Sequence, residues 1–105
     1  MKTTVTGNAE ELTVAVVGEI NSVTSVELAK TMESLPLEKL RLLLLDLAGV
    51  EYISSAGLRV LLAAQDRMGD PGAMKIVHVS EAVLQIFEIT GFIGTLDIEA
   101  ADRAW

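Results

Sequence analysis

Two adjacent serines in "YISSAGLRVLL", residues 52–62, stand directly before an apolar run and beside the small pair Ala56 and Gly57. A hydroxyl in such a place has two ordinary chemistries. It caps a helix by accepting a backbone N–H, a role worth about 1 kcal/mol, or it accepts a phosphoryl group whose charge the positive end of the helix favours. A phosphate adds about −1.5 to −2 charge at neutral pH, enough to eject a closely packed or acidic partner surface. From spacing alone, capping is the better reading of Ser54 or Ser55, and the two roles are compatible.

Other residues with chemical potential are sparse. The only histidine, His78, lies inside "KIVHVS", and there is no cysteine, so thiolate chemistry, disulfides and Cys-based metal sites are excluded. Without a suitably spaced acid, His78 suggests neither a triad nor a zinc site, and it reads as a strand residue satisfied locally. No metal site and no catalytic residue are expected. Glu10, Glu11, Glu19, Glu51 and Asp66 read as solvated charge, and Met32, Met68 and Phe87 as core. Trp105, at the terminus, either packs on the domain or contacts a partner.

The elements that must position the serines follow from pattern. "TTVT", "GN" and "LTVAVVGEI" read as a hairpin, with Gly7 and Asn8 able to take positive φ. "NSVTSVELAKTMESLP" places Val26, Leu28, Ala29, Met32 and Leu35 at helical spacings, with Thr24 and Glu27 arranged as a capping box. "LRLLLLDLA", residues 40–48, is apolar and short, the pattern of a central strand covered on both faces.

Leu58, Leu61, Leu62 and Met68 then predict a helix over 56–68, ended by "GDPG". "MKIVHVS" is a further strand, Ser80 caps the helix of "EAVLQIFEIT", and Gly91 ends it. A short strand around Leu96 to Ile98 closes the series. Alternation of this kind predicts an α/β fold, a mixed sheet of four to five strands with crossover helices packed on it. The serines then sit where the third strand hands over to a helix, beyond the carboxyl end of the sheet, with Gly49 turning the loop and Tyr52 and Ile53 as anchors.

The 105 residues fit one domain, and half of them are hydrophobic, which suits a folded core. A net charge of −7 with eight scattered basic residues argues against nucleic acid and against anionic membrane. No window approaches the roughly 20 apolar residues of a membrane span, and the N-terminus lacks the pattern of a signal peptide. A cytoplasmic protein that contacts protein partners or small ligands is the expectation.

With those residues in view, the chain resembles a single STAS domain of the anti-sigma factor antagonist type over nearly all of residues 1–105. "VVGEINSVTSVEL" looks like the family's Gly-x-Leu-Asp segment, "LLLLDLAGVEYISSAGLRVLL" resembles its most diagnostic stretch, and "AVLQIFEITGF" is similar to its third helix and turn. That stretch commonly reads Asp-Ser-Ser/Thr-Gly-Leu, and the serine after the aspartate is phosphorylated by the partner anti-sigma factor, a serine kinase. Anchored on Gly57 and Leu58, the resemblance maps that serine to Ser55, puts Ser54 at the aspartate position and Ala56 at the second hydroxyl position. Asn21 stands where the family often has aspartate.

The resemblance implies partner switching. The unmodified protein binds the kinase and frees a sigma factor, phosphorylation at Ser55 breaks the complex, and a PP2C-type phosphatase resets it. ATP and magnesium belong to the kinase, so the chain itself is no enzyme and needs no cofactor. The implied interface comprises Asn21, Ser54, Ser55, Ala56, Gly57, Arg59 and Ala63. A scaffold or regulatory STAS subunit of a signalling or transporter complex, without phosphorylation, is the alternative. Asp46 after "LLLL" also resembles the phosphoacceptor of a response-regulator receiver, which needs an acidic pair for its metal; the comparable places here hold Gly18 and Glu19.

Overall fold

The computed structural model describes residues 1–91 and 96–100; Trp105 and the tail before it lie outside the described residues. Strands β1 (Lys2–Gly7) and β2 (Glu11–Val17) form the expected hairpin, with Val5 opposite Val14. Gly7 takes a φ of 132°, as the turn requires, whereas Asn8 contributes through its side chain. Its Oδ1 accepts from the amides of Glu10 and Glu11 at 2.9 and 3.0 Å.

Then follow α1 (Thr24–Glu33), a short 3-10 turn (Leu37–Lys39), β3 (Leu42–Gly49), α2 (Ser55–Arg67), β4 (Ala73–Val79), α3 (Glu81–Thr90) and β5 (Ile98–Ala100). The last strand lies two residues beyond its expected start. The sheet order is β1-β2-β3-β4-β5, antiparallel at the hairpin and parallel elsewhere. This is the mixed α/β architecture read from the sequence.

Strand order decides where the core sits. Register aligns Val14, Leu45 and Ile76 in one row and Leu12, Leu43 and Met74 in the next, all on one face. Leu28 and Met32 of α1, Leu58, Leu61 and Ala64 of α2, and Val83 and Phe87 of α3 join these strand residues in one apolar cluster. Because the parallel strands advance in one direction only, right-handed crossovers put every helix on the same side.

The opposite face carries Thr13, Ala15, Leu42, Leu44, Asp46, Lys75 and Val77, none of them buried. The expectation that β3 is covered on both faces is therefore corrected. Leu42 and Leu44 are half-buried, while Leu43, Leu45 and Leu47 carry the core.

Helix starts bear out one expected cap and correct another. Ser80 Oγ accepts from the Val83 amide at 3.3 Å, and Gly91 ends α3 at φ 80°. The box of Thr24 and Glu27 does not form: the residue before α1 is Val23, without a side-chain cap. Thr24 turns back instead, its Oγ1 accepting from the Asn21 amide at 2.8 Å and donating to the Glu19 carbonyl at 2.8 Å.

His78 departs from strand geometry with a φ of 56°. Alternation slips there, so that Met74 and Ile76 and then Val79 face the core while His78 is exposed. A β-branched residue fits a left-handed backbone poorly. His78→Val is thus expected to cost about 1 kcal/mol, and His78→Asn close to nothing, as read by urea unfolding.

Candidate functional site

Beyond the ends of β2 and β3 the two chains keep pairing. The Gly18 amide donates to the Gly49 carbonyl at 2.9 Å, Ile20 to Tyr52 at 3.0 Å, and Ser54 back to Ile20 at 2.7 Å. Ile20 and Ile53 form a parallel bridge, and both side chains are buried. This ladder fixes the Asn21 loop beside the start of α2. Ile53 is the anchor that the sequence indicates; Tyr52 is 43% exposed and is not one. The stretch "LTVAVVGEI" reads as one strand through Ile20, but β2 ends at Val17, and Ile20 pairs beyond it in an isolated bridge with Ile53.

At the start of α2 the two serines divide the work. Ser54 is the N-cap, with extended backbone, and its Oγ accepts from the Gly57 amide at 3.2 Å. Ser55 is the first helical residue and is exposed, and among the described residues its hydroxyl has no hydrogen-bond partner. One hydroxyl serves the fold and the next is presented to solvent.

The remaining site residues separate by exposure. Gly57 is buried: a Cβ there would lie 2.6 Å from Ile20 Cγ2 and 2.7 Å from Ile53 Cγ1, so its place is close helix packing rather than a partner's surface. Ala56 is half-buried, and Arg59 and Ala63 are exposed along α2. Asn21 Oδ1 accepts from the amides of Val23 and Thr24, both at 2.9 Å, which leaves its NH₂ for an outside contact. A largely apolar groove of about 260 Å³ runs between α1 and α2, lined by Ala29, Met32, Val60, Ala63 and Ala64 together with the charged Glu33, Arg59 and Arg67, of which Arg59 is exposed at its rim.

Asp46 and His78 sit elsewhere, on the bare side of the sheet. Asp46 Oδ1 accepts from the Ala48 amide at 3.0 Å and lies 3.1 Å from His78 Nδ1. Local hydrogen bonding thus accounts for both residues. Among the described residues no group of three or more His, Asp or Glu side chains could hold a metal ion, and no helix is long and apolar enough to cross a membrane.

Known proteins match this geometry. The STAS domain family model matches residues 1–101. A Bordetella bronchiseptica protein, BtrV, named as a candidate anti-sigma factor antagonist, is 32% identical over 88 residues, which span 83% of this chain and 76% of that protein. The crystal structure of an anti-sigma factor antagonist from Mycobacterium paratuberculosis superposes with a TM-score of 0.84 at 26% identity, covering 93% of this chain and 84% of that one. The anti-sigma factor antagonist SpoIIAA in its unphosphorylated form shares the fold alone, with a TM-score of 0.79 at 12% identity over 96% and 90% of the two chains. With the match spanning the sheet, the three helices and the start of α2 that carries Ser55, the chain belongs to the STAS domain family.

Proposed function

We propose that the chain is an anti-sigma factor antagonist that binds an anti-sigma factor serine kinase while unmodified and is released by phosphorylation at Ser55. The observation that carries this reading is the division between the serines: Ser54 takes the cap, and Ser55 stays exposed without a partner among the described residues. The names of BtrV and of the mycobacterial structure support the class of function.

In the proposed step the kinase supplies ATP and magnesium. Ser55 Oγ attacks the γ-phosphorus and forms the new O–P bond, the bond to the β–γ bridging oxygen breaks, ADP leaves, and the hydroxyl proton passes to a base of the kinase. The phosphate then stands at the positive end of α2, where the fold tolerates it, while its charge opposes the docked partner. A PP2C-type phosphatase restores the hydroxyl by hydrolysis. This chain acts in the cytoplasm as binder and substrate, without catalytic groups of its own.

The test is incubation with the serine kinase, ATP and magnesium, followed by mapping of the phosphate by mass spectrometry. Label on Ser55, lost in Ser55→Ala and retained in Ser54→Ala, with kinase affinity reduced more than about tenfold, is the expected result; tenfold is about 1.4 kcal/mol. Tight binding with no label would move the reading to a scaffold or regulatory STAS subunit. Ser54, standing where the family's aspartate is expected, is the residue that favours that second reading.

A further inference from the structure

The arginines of the described residues are unequally employed. Arg41 pairs with Glu10 at 3.5 Å, and Arg67 is bound by two backbone carbonyls and by Glu38. Arg59 is exposed, and among the described residues its guanidinium has neither a hydrogen-bond nor an ion-pair partner. Five unused donors on the rim of an apolar groove are a ready receptor for an anion.

Arg59 lies four residues after Ser55 on the same helix. That spacing stacks two side chains on one face, with Cβ atoms about 5–6 Å apart. Anion first and cation four residues later is the more favourable order for such a pair, and the phosphate, on the first residue of α2, stands at the end of the helix dipole that favours it. Arginine matches phosphate oxygens with two parallel N–H donors, which lysine does not.

We propose that Arg59 is the internal counter-ion of a phosphate on Ser55, and that this pairing draws the guanidinium away from the rim of the α1–α2 groove. The proposal rests on Ser55 being the modified residue, and it adds how modification reaches a surface one helical turn away. In the unmodified chain Arg59 stays available at the groove; after phosphorylation the α2 surface loses a free cation as well as gaining an anion. Release then follows from two changes made by one group.

The test uses phosphoserine installed at position 55 during translation, so no kinase is needed. The second ionisation of the phosphate is followed by phosphorus NMR in the otherwise unchanged protein and in Arg59→Gln and Arg59→Lys. Glu19 and Glu51, on the two paired loops, and Glu27 and Glu33 of α1 oppose ionisation of the phosphate equally in all three chains. In the unchanged chain the phosphate is expected to ionise about 0.3 pH unit lower than in Arg59→Gln at low salt. The difference should shrink as salt is added, and Arg59→Lys should fall between.

Equal titration of the unchanged chain and Arg59→Gln would overturn the proposal. Circular dichroism confirms that the exposed Arg59 variants fold. Failure of the kinase to label Ser55 would sink the functional reading instead, and the two failures are separate because the phosphate is here supplied in advance.

Discussion

Arg67→Met is expected to lower the stability of the folded chain by roughly 2–3 kcal/mol, the range of a charged donor lost from two backbone acceptors. Arg67 closes α2, and its guanidinium donates to the Met32 carbonyl at 2.8 Å, the Leu35 carbonyl at 2.8 Å and a Glu38 carboxylate oxygen at 3.2 Å. It thereby ties the end of α1 and the following turn to α2. The side chain is 35% exposed, which keeps the expectation near the lower end of what two buried bonds would give.

Methionine preserves most of the aliphatic packing, so the loss isolates the fork. Arg67→Lys keeps the charge without the planar geometry, and less than half of the loss should be recovered. Urea unfolding with an unchanged dependence on denaturant gives the comparison. A full recovery by lysine would show that charge alone accounts for the effect.

The same contact sets an acid dependence. The Glu38 carboxyl is held below the usual carboxylate range, first by its own backbone amide and then by Arg67. Its contribution is therefore complete above the usual glutamate range and fades as pH falls through the lowered folded value. In Arg67→Met that decline should be shallower but not absent, since the backbone amide remains.

Much of this was legible from local pattern. The hairpin, the apolar β3 run, the α2 spacing and the Ser80 and Gly91 boundaries each rest on signals within about ten residues. The serine pair was legible as a helix start, yet which serine caps was not. That depends on where the Ile20–Tyr52 and Ser54–Ile20 hydrogen bonds stop the chain and let α2 begin.

The misread elements share a cause. "LLLL" reads as a strand covered twice because periodicity reports apolarity and not strand order, and only the monotonic order leaves one face bare. Thr24 and Glu27 have the spacing of a capping box, but Asn21, three residues upstream, captures Thr24 and the first amides of the turn. The left-handed His78 had no local signal, since no glycine or asparagine marks it.

Gly57→Ala carries the clearest conflict between local preference and packing. Alanine is the better helix former by about 1 kcal/mol, so at an exposed site in α2 this change would stabilise. At Gly57 the new methyl meets Ile20 Cγ2 at 2.6 Å and Ile53 Cγ1 at 2.7 Å, inside any tolerable carbon contact. Both are atoms on the branched Cβ of buried isoleucines, so neither can swing aside without moving backbone. Overpacking of this kind costs about 1–3 kcal/mol, and after the gain in helix propensity the net expectation is a loss of up to about 2 kcal/mol.

Thermal unfolding of Gly57→Ala, Ile53→Ala and the double variant tests the cause. The double loss should be smaller than the sum of the singles, because removing Ile53 Cγ1 makes room for the methyl. The consequence reaches the site, since Ile20 and Ile53 bridge the two loops that fix the start of α2. Displacing the helix from that ladder moves Ser55, and on the proposed function its phosphorylation should slow in Gly57→Ala at temperatures where the variant is still folded. Unchanged phosphorylation together with raised stability would mean that helix propensity outweighs the contact with the two isoleucines.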